Sequence, residues 1–230
     1  MLASMMVMIY MRIDQIMLKQ LSTAEEMGKY AGAVRLSEAW YFVLMAISAS
    51  IFPKLVRASA LSESEFTSLA SRFYAAMILI CYAFALPLSL LSPYVSAWLF
   101  GGKFQGMESM LFICAWAGLF VGIGLARGAY LTAKNLNTFQ FYSTAVGALL
   151  NIALNFAWIP QYGGRGAAFA TLISYAVAGY VSNFFYAPAR KQGWIITKLL
   201  LPWNAWRTFD WRQFVHSLNA IRGQSNEYSV

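Results

Sequence analysis

Six apolar stretches, each near the length of a bilayer-crossing helix and separated by short polar turns, limit what this chain can fold into. They run from about Met1 to Leu21, Tyr30 to Phe52, Phe73 to Leu91, Glu108 to Thr132 and Thr138 to Ile159; the sixth opens at Gly163, Gly164 and Gly166 and continues to Tyr186. Prolines 53, 93 and 160 mark expected stops. Of the 230 residues, 60% are hydrophobic and 11% charged, which excludes most soluble folds and leaves little chain for a soluble catalytic domain. The expectation is an all-α, polytopic membrane helix bundle of about six transmembrane helices, residues 1–189, followed by a cytoplasmic, Trp-rich amphipathic tail, residues 190–230.

The net charge of +8 falls on turns and tail. If the first segment starts inside, eleven basic residues, Lys54, Arg57, Arg72, Arg127, Lys134, Arg190, Lys191, Lys198, Arg207, Arg212 and Arg222, lie inside; Lys19, Lys29, Lys103 and Arg165 lie outside. The positive-inside rule then puts both termini in the cytoplasm. No basic run is interleaved with stacking aromatics, so nucleic acid is not an expected partner. Membrane lipid is: Trp194, Trp203, Trp206 and Trp211 alternate with basic residues, and Asp210 is placed to cap an interfacial C-terminal helix with a stripe of Trp211, Phe214, Val215, Leu218 and Ile221. His216 sits off that stripe, and Cys81 and Cys114 lie in apolar runs as small packing residues. No catalytic constellation for acyl or glycosyl transfer is visible, so the chain is not expected to be an enzyme.

Ionisable groups inside a span are costly and are functional candidates by default. Four qualify: Arg12, Asp14, Arg35 and Glu38. Asp14 lies roughly 200° around the helix from Arg12, so the two point apart. Arg35 and Glu38, three apart, share a face and can pair. That pair is either a structural ion pair or a guanidinium held ready for a phosphate, to which its planar donor fork is suited. Asn151 and Asn155 are four apart, as are Ala167 and Thr171, so two amides, a carbonyl and a hydroxyl can converge with Asp14. One carboxylate with neutral oxygens fits a hard monovalent cation, making Asp14, Asn151, Asn155, Ala167 and Thr171 a candidate sodium site. The alternative is interhelical hydrogen bonding by the two asparagines, with Asp14 paired to a basic neighbour.

The run Arg12-Ile13-Asp14-Gln15-Ile16-Met17-Leu18, followed by Gly28-Lys29-Tyr30-Ala31-Gly32-Ala33-Val34-Arg35-Leu36-Ser37-Glu38-Ala39-Trp40, resembles the seventh and eighth helices of bacterial O-antigen and capsular polysaccharide flippases. These belong to the multidrug/oligosaccharidyl-lipid/polysaccharide exporter superfamily. Tyr162-Gly163-Gly164-Arg165-Gly166-Ala167-Ala168-Phe169-Ala170-Thr171 is similar to the turn into its twelfth helix. The resemblance covers about Met1 to Ala189 and implies the C-terminal lobe of a two-lobe flippase in the bacterial inner membrane. It also implies a lipid-linked (undecaprenyl-diphosphate) oligosaccharide as substrate, met by Arg12, Arg35 and Glu38, and an N-terminal lobe or self-association to complete the cavity. The candidate cation residues are similar in spacing to the sodium site of lipid-linked peptidoglycan precursor flippases, with Asn155 standing where that relative has Asp. Two other readings are a multidrug/cation antiporter lobe, which the two arginines disfavour, and a non-transporting membrane scaffold of a polysaccharide assembly machine.

Overall fold

The computed structural model describes residues 12–100 and 106–209, and it places them almost entirely in helices, with no strand among them. The part of the first apolar segment before Arg12, and the expected helix from Asp210 with Trp211, Phe214, Val215, His216, Leu218 and Ile221, lie outside the described residues.

Helix α1, Ile13–Leu21, ends at a two-residue turn, and Thr23 caps the next helix by accepting a hydrogen bond from the Glu26 N–H at 3.2 Å. Helix α2, Ala24–Glu38, breaks at Ala39 and Trp40 and resumes as α3, Tyr41–Leu61. Helix α4 spans Glu63–Phe100 and α5 spans Met107–Ala133. The segment Asn137–Gly179, α6, has one non-helical residue, Gly163, at φ 56° and ψ −134°. A short 3-10 turn, Val181–Phe185, leads to α7, Ala187–Leu199, and α8, Pro202–Thr208.

Gly163 reverses the chain. In a straight helix Asn151 and Thr171 would stand about 30 Å apart, yet the Asn151 amide donates to the Thr171 hydroxyl at 3.3 Å. The arms 137–162 and 164–179 are therefore antiparallel neighbours, the fifth and sixth segments of the sequence. Only glycine suits the reversal: a Cβ at Gly163 would strike Glu26 Oε2 at 2.6 Å, and one at Gly166 would strike the Trp158 carbonyl at 2.6 Å.

Pro53 and Pro93 do not stop their helices as expected. Pro53 lies inside α3, and Pro87 and Pro93 lie inside α4. In a packed span the carbonyl freed by a proline can find a side-chain donor. Pro93 cannot bond the Ser89 carbonyl four residues back, and the Ser92 hydroxyl donates to that carbonyl at 2.9 Å instead.

Four segments among the described residues are long and apolar enough to cross a membrane: Ala24–Leu61, Glu63–Trp98, Met107–Ala133 and Asn137–Phe185. The last is folded back at Gly163. Large apolar side chains such as Leu90, Tyr94, Trp98 and Phe156 are exposed, as lipid-facing residues are. The protein is a multi-pass all-α membrane bundle.

Two cores divide it. One joins Leu44, Phe66, Tyr74, Ile78, Cys81, Ile123 and Tyr130 with Ile196, Leu199 and Ala205 of α7 and α8. The other joins Leu18, Tyr30, Val34, Met110, Leu111, Ile159 and Ala167 around the glycine turn. The basic residues sort between the two ends. Lys29 pairs with Glu25 at 2.8 Å and Arg165 approaches Gly106 at the glycine-turn end; Lys134 and Lys191 both pair with Glu63 at the other. Arg127, counted among the inside positions, is buried within α5. Trp194, Trp203 and Trp206 of α7 and α8 are exposed, and the Arg207 guanidinium stacks over the Trp203 ring at 5.0 Å.

Candidate functional site

The second core places α1 against the antiparallel arms of α6, because Leu18 packs in the same cluster as Ile159, Ala167 and Tyr30. This puts Asp14, only 3% exposed, one turn from Leu18 on the face that meets the arms. Its Oδ2 accepts from the Tyr30 hydroxyl and, at 3.2 Å, from the Thr171 hydroxyl; its Oδ1 accepts from the Gln15 backbone N–H at 2.7 Å. Tyr30 and Thr171 are themselves 3.4 Å apart.

The network continues along the first arm. The Asn151 amide donates to Thr171, and the Asn155 amide donates to Asn151 Oδ1 at 2.9 Å. Asn155 is fully buried, and its Oδ1 has no hydrogen-bond partner among the described residues. Ala167 is fully buried one turn before Thr171. The four polar residues read from sequence as a convergent set, Asp14, Asn151, Asn155 and Thr171, therefore form one hydrogen-bonded chain. Among the described residues no Lys or Arg pairs with Asp14; the Tyr30 and Thr171 hydroxyls and the Gln15 backbone N–H hold it.

Tyr30 is the member that sequence reasoning missed. A tyrosine at the head of an apolar run reads as an aromatic packing residue, and the ring is indeed in the core. The available signal is the cost of burying a phenol without an acceptor, which asks for a partner such as the intramembrane carboxylate.

The residues fit a small hard cation in donor type. Asp14 supplies one negative charge, Thr171 and Tyr30 supply hydroxyl oxygens, and the unpartnered Asn155 Oδ1 is a buried acceptor without a donor.

The three expected substrate residues are not arranged as their spacing implied. Glu38 pairs with Arg12 at 3.2 Å, not with Arg35. The cause is the helical hairpin: α1 and α2 run antiparallel, which returns the end of α2 to the start of α1, where Arg12 lies. Arg12 is about half exposed and Glu38 partly buried. Arg35 is exposed and, among the described residues, pairs with no carboxylate.

Fold and site together define a multi-pass helical membrane protein with a buried polar network inside its helical bundle. Over 169 residues, 70% of the chain, the sequence is 27% identical to the "Probable low-salt glycan biosynthesis flippase Agl15" of Haloferax volcanii, and the match spans 36% of that relative. No family model matches the chain, and no solved structure gives a significant match.

Proposed function

We propose that the chain is one lobe of a flippase that carries lipid-linked oligosaccharides across a bacterial cytoplasmic membrane, with undecaprenyl diphosphate as the carrier, in the assembly of a surface polysaccharide such as O-antigen. The similarity to a protein named as a glycan biosynthesis flippase supports transport of a lipid-linked glycan over an enzymatic role. Alternating access needs two repeats rocking about a site between them, so this lobe works with a first lobe or with a second copy. Arg12 and Arg35, both accessible, would meet the diphosphate or an acidic sugar; Glu38 orients Arg12.

The observation that carries the mechanism is the Asp14 network. Asp14, Thr171, Asn151 and Asn155, with the Ala167 carbonyl, would hold a sodium ion, and Tyr30 fixes the carboxylate through its hydroxyl. A bound sodium ion would supply the positive charge that Asp14 otherwise lacks inside the span. The network ties α1 to both arms of α6, so its state is linked to how α1 sits against the rest of the lobe.

Deleting the gene in its host and following the lipid-linked oligosaccharide tests the proposal. The expected result is accumulation on the cytoplasmic face and loss of the surface glycan, restored by this chain with a first lobe and not by a chain carrying Arg35→Ala. Unchanged surface glycan on deletion contradicts it.

A further inference from the structure

Arg127 is 3% exposed, and among the described residues the groups that meet its guanidinium are neutral. Nε donates to Asn183 Oδ1 at 2.9 Å, and Nη2 donates to the Ser143 hydroxyl at 2.8 Å and the Ser182 hydroxyl at 3.3 Å. The Phe139 ring lies 5.1 Å away. No described carboxylate pairs with it. A guanidinium has five N–H donors, and among the described residues these three bonds engage Nε and Nη2 and none engages Nη1. A buried cation with neutral partners alone is costly and is stabilised by an anion.

Arg127 lines a cavity of about 560 Å³ between α3, α5 and the two arms of α6. Polar groups, Ser48, Thr132, Gln140 and Thr144, are in the minority; Met45, Phe52, Phe120, Val121 and Leu125 supply apolar wall. The floor is open at Gly124, where an added Cβ would meet nothing within 4 Å. A water occupies about 30 Å³, so a free phosphate against Arg127 would leave most of this space, and most of its apolar wall, to water. An amphiphile fills both parts.

We propose that the cavity is a binding site for a resident anionic phospholipid, its phosphate against Arg127 Nη1 and its hydrocarbon along Phe52, Phe120 and Leu125. The site is separate from the Asp14 network and stands on different residues. It gives the lobe a dependence on anionic lipid that arises at one arginine, not from general surface charge.

Thermal unfolding of the purified chain in dodecylmaltoside tests this with three additives: phosphatidylglycerol, phosphatidylcholine and inorganic phosphate. Phosphatidylglycerol at saturation should raise the midpoint by about 5 °C, and the other two should not. Gly124→Leu should abolish the rise while leaving the lipid-free midpoint at or above that of the parent; Ala49→Leu, from the opposite wall, makes the same test if Gly124→Leu unfolds. Arg127→Gln should also abolish it, from a lower starting midpoint because Asn183, Ser143 and Ser182 lose their donor. Asp14→Asn should retain the rise. An equal rise with phosphatidylcholine or inorganic phosphate overturns the proposal, as does a phosphatidylglycerol rise that survives cavity filling or Arg127→Gln.

Discussion

The Thr171 hydroxyl donates to the Asp14 carboxylate at 3.2 Å, joining residues 157 positions apart and closing α1 onto the second arm of α6. The same carboxylate oxygen accepts from Tyr30, so three helical segments meet at one atom.

Loss of either hydroxyl leaves a buried carboxylate under-satisfied. Tyr30→Phe and Thr171→Val should each destabilise the chain by about 1–3 kcal/mol. Because both act on Asp14 Oδ2, the double variant should depart from additivity by about 0.5 kcal/mol or more in a double-mutant cycle of thermal unfolding. Strict additivity means the two hydroxyls are not parts of one network.

The reversal at Gly163 depends on a conformation that L-residues rarely adopt. Gly163→Ala should cost about 1–3 kcal/mol and expose the 160–166 turn to protease, since its Cβ also collides with Glu26. Gly124→Ala, where a Cβ meets open space, should be neutral or slightly stabilising. Comparable losses at both positions would remove the geometric explanation.

How much of this was legible in the sequence depends on which physical rule decided each feature. The arms of α6 are visible as two apolar runs around Gly163, Gly164 and Gly166, and the four-residue spacing of Asn151 and Asn155, and of Ala167 and Thr171, already puts each pair on one face. The pairing of Glu38 was not legible, because helix spacing favours Arg35, three residues away, and the antiparallel return of α2 alone brings Arg12 to it. Pro53 and Pro93 read as breakers because a propensity rule knows nothing of what can take over a freed carbonyl, as the Ser92 hydroxyl does at Ser89. Arg127 reads on charge counting only as an inside cation near the end of its apolar segment, while its burial follows from Asn183 and Ser143, which lie 56 and 16 positions away.

The pairing of Glu38 with Arg12, and not with Arg35, sets what each substitution should do. Glu38→Gln should lower stability by about 1 kcal/mol or less, because its partner Arg12 is half exposed, with the loss shrinking at high salt. Arg35→Ala should leave the unfolding midpoint unchanged and reduce export when a first lobe is present, with Arg35→Lys restoring it only in part. A large midpoint loss in Arg35→Ala with normal export of the surviving protein would make Arg35 structural.

Glu63 ties α4 to the α5–α6 turn through Lys134 and to α7 through Lys191. All three side chains are at least partly exposed, so Glu63→Gln should change the midpoint little in high salt and measurably in low salt. Salt-independent destabilisation would assign Glu63 a role other than charge pairing.

The cation site is tested by the unfolding midpoint of the purified chain in sodium chloride and in potassium chloride at equal ionic strength. Sodium bound at Asp14 gives a higher midpoint in sodium that rises with its concentration and disappears in Asp14→Asn. Equal midpoints in the two salts, or a sodium preference that persists in Asp14→Asn, would contradict a cation site at Asp14.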